Sequence, residues 1–150
     1  MLSIAFIVTL AAITVVPSGT LAPLRFATNN LPTPVAPPPF TFDPLDGNGV
    51  CNIAGYYEFK VATKALIQGV PVTGEMQVIL TIAKGVTTRR FVSRAIISNS
   101  PGINSSGNTL VGAAQIDVGD VVNVSVLHDV SPNEVSFPQT ENMFIATLIQ

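Results

Sequence analysis

The sequence predicts an all-β fold, a ten-stranded antiparallel jelly-roll sandwich formed by a single domain over residues 1–150. Three observations predict this class. The hydrophobic residues are mainly Val, Ile, Ala and Phe, accompanied by many Thr, and this composition is typical of strands. Twelve prolines and eleven glycines supply frequent turns. No window keeps a helical period for three turns, and we see neither an internal repeat nor a domain linker.

Apolar runs separated by turn clusters predict the ten strands in chain order. We place them at residues 3–16, 20–27, 40–43, 50–53, 55–66, 74–83, 88–98, 108–117, 120–128 and 141–149. The clusters between them are rich in Gly, Pro, Asn and Asp, as in residues 17–19, 46–49 and 99–107. Short strands at regular spacing are typical of an antiparallel sandwich or jelly roll.

Internal and terminal strands differ in their faces. In residues 75–82 and 121–127 the even-numbered positions are apolar and the others mostly polar, which predicts half-buried strands with one wet face. In residues 4–11 and 143–149 both alternate sets are mostly apolar. Such strands must be covered twice, once by their own core and once by something else.

Pairing the terminal strands in an inner sheet that packs on neighbouring subunits satisfies both needs, so we expect a homotrimer. The residues predicted for its core and trimer interface are Phe6, Val8, Tyr57, Phe59, Phe144, Ile145 and Leu148.

The charge content supports a covered surface. Only 11% of residues are charged, against about 25% in an ordinary soluble domain, and mean hydropathy is +0.50. We therefore expect another copy or another protein to cover part of the surface. The same numbers exclude disorder. A net charge of −2 gives no basic field for nucleic acid.

The apolar start of the chain predicts a buried first strand. Residues 1–16 hold no charge, and the first charged side chain is Arg25. A signal peptide, the alternative, would require a basic region before its apolar stretch. The run before Pro17 is also shorter than the roughly 20 residues of a membrane helix, so no membrane partner is predicted.

Residues 51–59 carry a family resemblance. The stretch Cys-Asn-Ile-Ala-Gly-Tyr-Tyr-Glu-Phe resembles a strand pair of the globular head of complement component 1q and its tumour-necrosis-factor-like relatives. Gly55, Tyr57 and Phe59 occupy that family's Gly-x-Tyr-x-Phe positions. Residues 110–124, which include Gly119-Asp120-Val121, resemble its Gly-Asp-x-Val turn between two strands.

The resemblance spans residues 3 to 149, because residues 22–26, 42–44 and 144–149 are also similar to family strands. Two positions depart from the family pattern. Gly49 or Val50 replaces an aromatic residue, and Ala146 or Thr147 replaces a glycine. The resemblance implies a ten-stranded jelly roll whose subunits form tight trimers about a threefold axis.

No residue set carries catalytic chemistry, so no enzyme activity is predicted. His128 is the only histidine, and its neighbour Asp129 falls on the opposite strand face. With one histidine and the unpaired Cys51, we expect no zinc site, no disulfide and no cofactor. Since some family heads bind calcium, a site formed by Asp117, Asp120 or Asp129 stays open, although no spaced acidic loop is present.

Two further segments have a functional and a structural interpretation. Arg89, Arg90 and Arg94, with Lys84, form the densest positive cluster, which could dock an acidic partner or an anionic glycan. The structural alternative is a solvated strand face. Residues 31–39 match a polyproline ligand in form, but we favour a stiff connecting loop as their interpretation.

Function must then come from shape and surfaces. We expect a head without a stalk or an export signal, and on that expectation we predict a trimeric phage or viral structural protein. The specific hypothesis is a capsid decoration (cement) protein that bridges capsid subunits, made in the host cytoplasm and located on the virion, with itself and the capsid as partners. The alternative is a receptor- or carbohydrate-binding head, such as a fibre tip or a secreted lectin-like module.

Overall fold

The computed structural model describes residues 3–29, 38–67, 72–99, 105–130 and 134–149. Within these ranges the chain forms thirteen strands and no helix. In chain order the strands are β1 (Ser3–Leu10), β2 (Thr14–Val16), β3 (Ala22–Pro23), β4 (Phe26–Asn29), β5 (Phe40–Phe42), β6 (Gly49–Cys51), β7 (Gly55–Ile67), β8 (Val72–Lys84), β9 (Thr87–Asn99), β10 (Ser105–Ile116), β11 (Val121–His128), β12 (Val135–Phe137) and β13 (Met143–Ile149).

The strands form two antiparallel sheets packed face to face. The seven-stranded sheet has the order β2-β12-β7-β13-β1-β4, and β10 pairs with the other side of β7. The six-stranded sheet has the order β5-β6-β11-β8-β9, and β3 also pairs with β11. The first and last long strands, β1 and β13, are neighbours. The predicted pairing of the chain ends is therefore confirmed.

The predicted antiparallel sandwich is confirmed, but two of the ten predicted runs are wrong as single strands. The run 3–16 breaks after Leu10, where the Ala11 N–H donates to the Arg25 carbonyl at 2.8 Å, and β2 then pairs with β12. The run 20–27 divides between β3 in one sheet and β4 in the other. The short strand β12 was not predicted at all.

Aromatic rings from both sheets fill the space between them. Phe6, Phe59 and Phe144 of the seven-stranded sheet meet Phe40 and Phe42 of the six-stranded sheet, with ring centroids 5.2 to 6.4 Å apart. Tilted and edge-on aromatic pairs at these distances stabilise a core beyond the area that they bury. The aromatic part of the core thus lies beneath β1, β7 and β13.

The sandwich is closed along the edge formed by β9 and β10. There the Ser93 hydroxyl donates to the Asn108 side-chain oxygen at 2.6 Å, which links the two sheets. Close by, Phe91 of β9 lies over Gly112 of β10, where a Cβ atom would stand 2.7 Å from the ring. Only glycine permits this close approach.

Two tight turns lie at the end of the sandwich where β8 and β10 finish. β8 and β9 are joined by Gly85 and Val86, with Gly85 at φ +59°, as the first position of a type II′ hairpin requires. Between β10 and β11 the Asp120 N–H donates to the Asp117 carbonyl at 3.0 Å, and Gly119 has φ +90°. These are the features of a type II turn.

Candidate interaction surfaces

The outer face of the seven-stranded sheet is the side that points away from the core. Strand alternation sends every second side chain of β1, β13, β7 and β10 to it. Cross-strand register aligns those side chains in rows. We call Ile7, Ile145, Lys60 and Val111 the large row, and Ala5, Thr147, Glu58 and Ala113 the small row.

Residues of both rows line a depression of about 510 Å³ in this face. Its lining includes Ile145 and Val111 of the large row and Thr147 and Ala113 of the small row. Val111 is 69% exposed and lies beside Lys60. Apart from Glu58 and Lys60 on β7 and Thr147 on β13, the residues that line the depression are apolar.

Strand β7 places charged side chains in the same face. Glu58 and Lys60 are exposed and line the depression. Among the described residues neither has an ion-pair partner within 4 Å. Further along β7, by contrast, Lys64 is paired with Glu141 at 2.9 Å. In the part of the chain that the structure describes, the two central charges are thus unpaired.

The residues predicted for the core and the trimer interface lie in two places, between the sheets and on the outer face of the seven-stranded sheet. Six of them are buried between the sheets: Phe6, Val8, Tyr57, Phe59, Phe144 and Leu148. Ile145 is half-buried on the outer face. The sequence prediction did not include the other members of the two rows, since their alignment depends on the register of four strands.

The predicted arginine cluster is divided by the alternation of β9. Arg90 and Arg94 lie on the outer face of the six-stranded sheet with Val92 between them, and Arg94 approaches Glu75 at 3.7 Å. Arg89 points to the other side, where its guanidinium carbon is 4.9 Å from the centroid of the Phe91 ring. This divided arrangement leaves Arg90 and Arg94 as the two cations of one exposed face.

Lys84, the fourth cation of that cluster, is engaged elsewhere. Its ammonium donates to Asp120 at 2.7 Å, to Asp117 at 3.0 Å and to the Gln115 carbonyl at 3.0 Å. The hydrogen bonds to Asp120 and Asp117 raise the pKa of Lys84. Burial by itself would raise the pKa of Asp120, but the bonds from Lys84 and from the Asp117 N–H outweigh burial and lower it. Lys84 is therefore a structural residue of the turn.

The acidic side chains considered for calcium are separated in the structure. Asp117 and Asp120 share Lys84, whereas Asp129 accepts from the Glu75 N–H at 2.7 Å. Within the described residues no group of three or more His, Cys, Asp or Glu side chains is placed to hold a metal ion. In the same part of the chain there is no helix of the length and apolar character that crossing a membrane needs.

His128 is a buried hydrogen-bonding residue at the end of β11. Its Nδ1 accepts from the Val130 N–H at 3.2 Å, so Nε2 carries the proton and donates to the Val16 carbonyl at 2.6 Å. Both ring nitrogens are therefore occupied by backbone groups. The ring joins β11 to β2 of the other sheet, and it is not available to a substrate.

Cys51 and Tyr57 also belong to the interior. The Tyr57 hydroxyl donates to the Ile53 carbonyl at 2.7 Å, and burial raises the pKa of Tyr57 to about 12. Burial likewise raises the pKa of the Cys51 thiol, which keeps it in its unreactive protonated form. Most of the proline-rich run 31–39 lies outside the described residues.

No protein-family model matches the sequence, and no curated protein matches it. Solved structures do match. Murine APRIL is similar with a TM-score of 0.66 at 12% identity, over 97% of this chain and 98% of that chain. The Eiger tumour necrosis factor of S. frugiperda has a TM-score of 0.68 at 18% identity, over 99% and 92%.

The globular domain of the zebrafish complement 1qA protein is similar with a TM-score of 0.61 at 16% identity, over 97% of each chain. At these identities the similarity concerns the fold. The chain has the jelly-roll fold shared by tumour-necrosis-factor-like proteins and C1q heads, as the residues around Gly55 and Gly119 predicted.

Proposed function

We propose that this chain is a non-enzymatic head that assembles as a homotrimer through the outer face of its seven-stranded sheet and binds a macromolecular partner with its other surfaces. The observation that carries the proposal is the large row, in which Ile7, Ile145 and Val111 place apolar side chains on three of its four strands. On an isolated subunit these side chains meet water, and burial against another copy removes them from it.

A closed ring is the form of self-association that this fold supports best. The tumour-necrosis-factor and C1q heads that the chain resembles are built as threefold assemblies. In a closed cyclic assembly every copy of the outer face of the seven-stranded sheet is covered. The low charge content, 11% of 150 residues, is what a chain with a permanently covered face would need.

The non-enzymatic part of the proposal is supported by the side chains that could do chemistry. His128 binds two backbone groups, Lys84 binds two carboxylates, and Cys51 is a buried thiol. None of the three is placed beside a second reactive group in an open cleft, as acid–base or nucleophilic catalysis requires.

Two partner classes follow from the sequence, and each has its own support. A receptor- or carbohydrate-binding head is favoured by the similarity to APRIL, Eiger and the complement 1qA globular domain. A capsid decoration protein on a virion, made in the host cytoplasm, is favoured by the outer face of the six-stranded sheet, where Thr81, Asn123 and Ser125 form a polar, uncharged area beside Arg90. Three copies of a weak contact would suffice for either role.

Adjacent residues on opposite faces of β13 test the assembly. Ile145→Asp should give a folded single subunit, because the new carboxylate lies on the outer face opposite Lys60 and enters water-free surroundings only when copies associate. Phe144→Asp should prevent folding, because Phe144 is 0% exposed within the core.

Sedimentation velocity over a range of protein concentrations measures both effects, with near-ultraviolet circular dichroism as the test of folding. The matched control is Val92→Asp, which places the same charge on the outer face of the other sheet, where Val92 is 49% exposed. This variant should remain trimeric. An unassociated wild-type subunit at micromolar concentration, or a trimeric Ile145→Asp variant, would refute the proposal.

A further inference from the structure

The outer face of the seven-stranded sheet contains one positive and one negative charge at its centre. Glu58 and Lys60 are two residues apart on β7, and both line the 510 Å³ depression. Their Cα atoms are therefore about 6.7 Å apart along the strand. In the described part of the chain neither side chain forms an ion pair.

Their neighbours cannot compensate them. Glu58 stands between Ala113 and Thr147, and Lys60 stands between Val111 and Ile145. Covering this face with a purely apolar partner would bury two unpaired charges, each of which would lose its hydration without gaining an opposite charge. Whatever covers the face must therefore bring a cation to Glu58 and an anion to Lys60.

A second copy of the same face meets that requirement, since it carries both charges at the spacing needed. We infer that in the homotrimer Glu58 of each subunit pairs with Lys60 of the next. Cyclic symmetry then repeats one Glu58–Lys60 contact three times, so that six charges cancel inside the assembly. This inference rests on the proposed homotrimer and identifies which charges set the register of its subunits.

The role of the pair is to select one arrangement of an otherwise apolar surface. Apolar rows slide over one another at little cost, whereas a displacement that separates a buried cation from its anion is expensive. The charges thus favour the closed ring over displaced or open-ended stacking of the same faces.

A double-mutant cycle tests the pairing. Glu58→Gln and Lys60→Met each leave three buried charges unpaired, so each should raise the protein concentration at which half of the trimer dissociates by about tenfold or more. The double variant Glu58→Gln/Lys60→Met should return that concentration to within about threefold of wild type, because replacement of a whole buried ion pair is often neutral. The exchanged variant Glu58→Lys/Lys60→Glu should also remain trimeric.

Lys64→Met is the matched control, since Lys64 lies on the same strand and pairs with Glu141 of its own subunit. It should leave assembly unchanged. A trimeric wild type in which the two single effects simply add, or in which neither single variant matters, would overturn this inference and leave the homotrimer standing. A wild type that never associates would instead overturn the proposed function itself.

Discussion

Tyr57 and His128 are buried side chains that bind backbone groups, and each bond fixes one place in the fold. Tyr57 points inward at the start of β7 and donates its hydroxyl to the Ile53 carbonyl. His128 joins the end of β11 to Val16 of the opposite sheet. Neither residue has the open surroundings of a catalytic group, although tyrosine and histidine are both common in active sites.

The raised pKa of Tyr57 gives a prediction at alkaline pH. The fold favours the neutral phenol, with a pKa of about 12 against an ordinary value of 10.0. Its contribution to stability is therefore complete below pH 10.0 and is lost as the pH rises through about 12. In a Tyr56→Phe background, where Tyr57 is the remaining tyrosine, tyrosinate absorbance should appear near pH 12 under native conditions.

The same titration in denaturant should give the ordinary value, and Tyr57→Phe should reduce the alkaline loss of stability. Lys84 contributes in the same direction, because its raised pKa also stabilises the fold until the pH exceeds the lysine range. Ionisation of Tyr57 near pH 10 in a chain that is still folded would contradict the prediction.

At the scale of elements, one residue, Asp120, stabilises the end of the sandwich where β8 and β10 finish. Asp120 accepts from Lys84 and from the Asp117 N–H, while its carbonyl accepts from the Cys51 N–H at 2.9 Å. Strands β6, β8, β10 and β11 are thus joined at a single turn. The family resemblance identified this Gly-Asp turn, and the structure supplies its physical role.

We predict that Asp120→Asn destabilises the fold by about 1–3 kcal/mol at neutral pH, because Lys84 loses the more buried of its two charged acceptors. Since the pKa of Asp120 is lowered in the fold, its contribution is present above its ordinary pKa of 3.8 and is lost as the pH falls through the lower folded value. Urea unfolding at neutral and at acidic pH should therefore show the difference from wild type shrinking in acid.

Asp117→Asn is the control for this turn. Its side chain is 65% exposed, so its pair with Lys84 is screened by water and its loss should be small. Equal effects of the two variants, or a deficit for Asp120→Asn that does not change with pH, would disagree with this account.

How far the elements could be predicted depends on where their partners lie in the sequence. Hairpins such as β8–β9 were predicted within two residues, because alternation and the Gly85 turn are local signals. The break after Leu10 was missed, because residues 11–13 look like strand and the carbonyl that turns the chain belongs to Arg25. Likewise, Glu58 and Lys60 indicate only a wet face until the register places them between Val111 and Ile145.

At the scale of the whole molecule, a trimer built on one sheet presents the outer face of the other sheet three times. Arg90, Val92 and Arg94 lie on that second face. A surface that combines two guanidinium groups with an apolar residue suits an acidic protein surface or an anionic glycan. The sequence predicted docking by Arg89, Arg90 and Arg94, and the strand alternation restricts the prediction to the last two.

We predict that Arg90→Glu/Arg94→Glu leaves the trimer intact and weakens partner binding by about tenfold or more, because each loss is repeated in three subunits. The probes are purified expanded capsids, with their resistance to heat as the readout, and arrays of cells and anionic glycans. If the wild type binds capsids alone and the double variant loses that binding, the chain is a decoration protein. If the wild type binds cells or glycans alone and the double variant loses that binding, the chain is a receptor-binding head.

Arg89→Glu is the matched control, since its side chain lies beside Phe91 on the other side of β9. An effect of Arg89→Glu equal to that of the double variant would show that docking depends on the general charge of the strand and would contradict the assignment of the surface to one face.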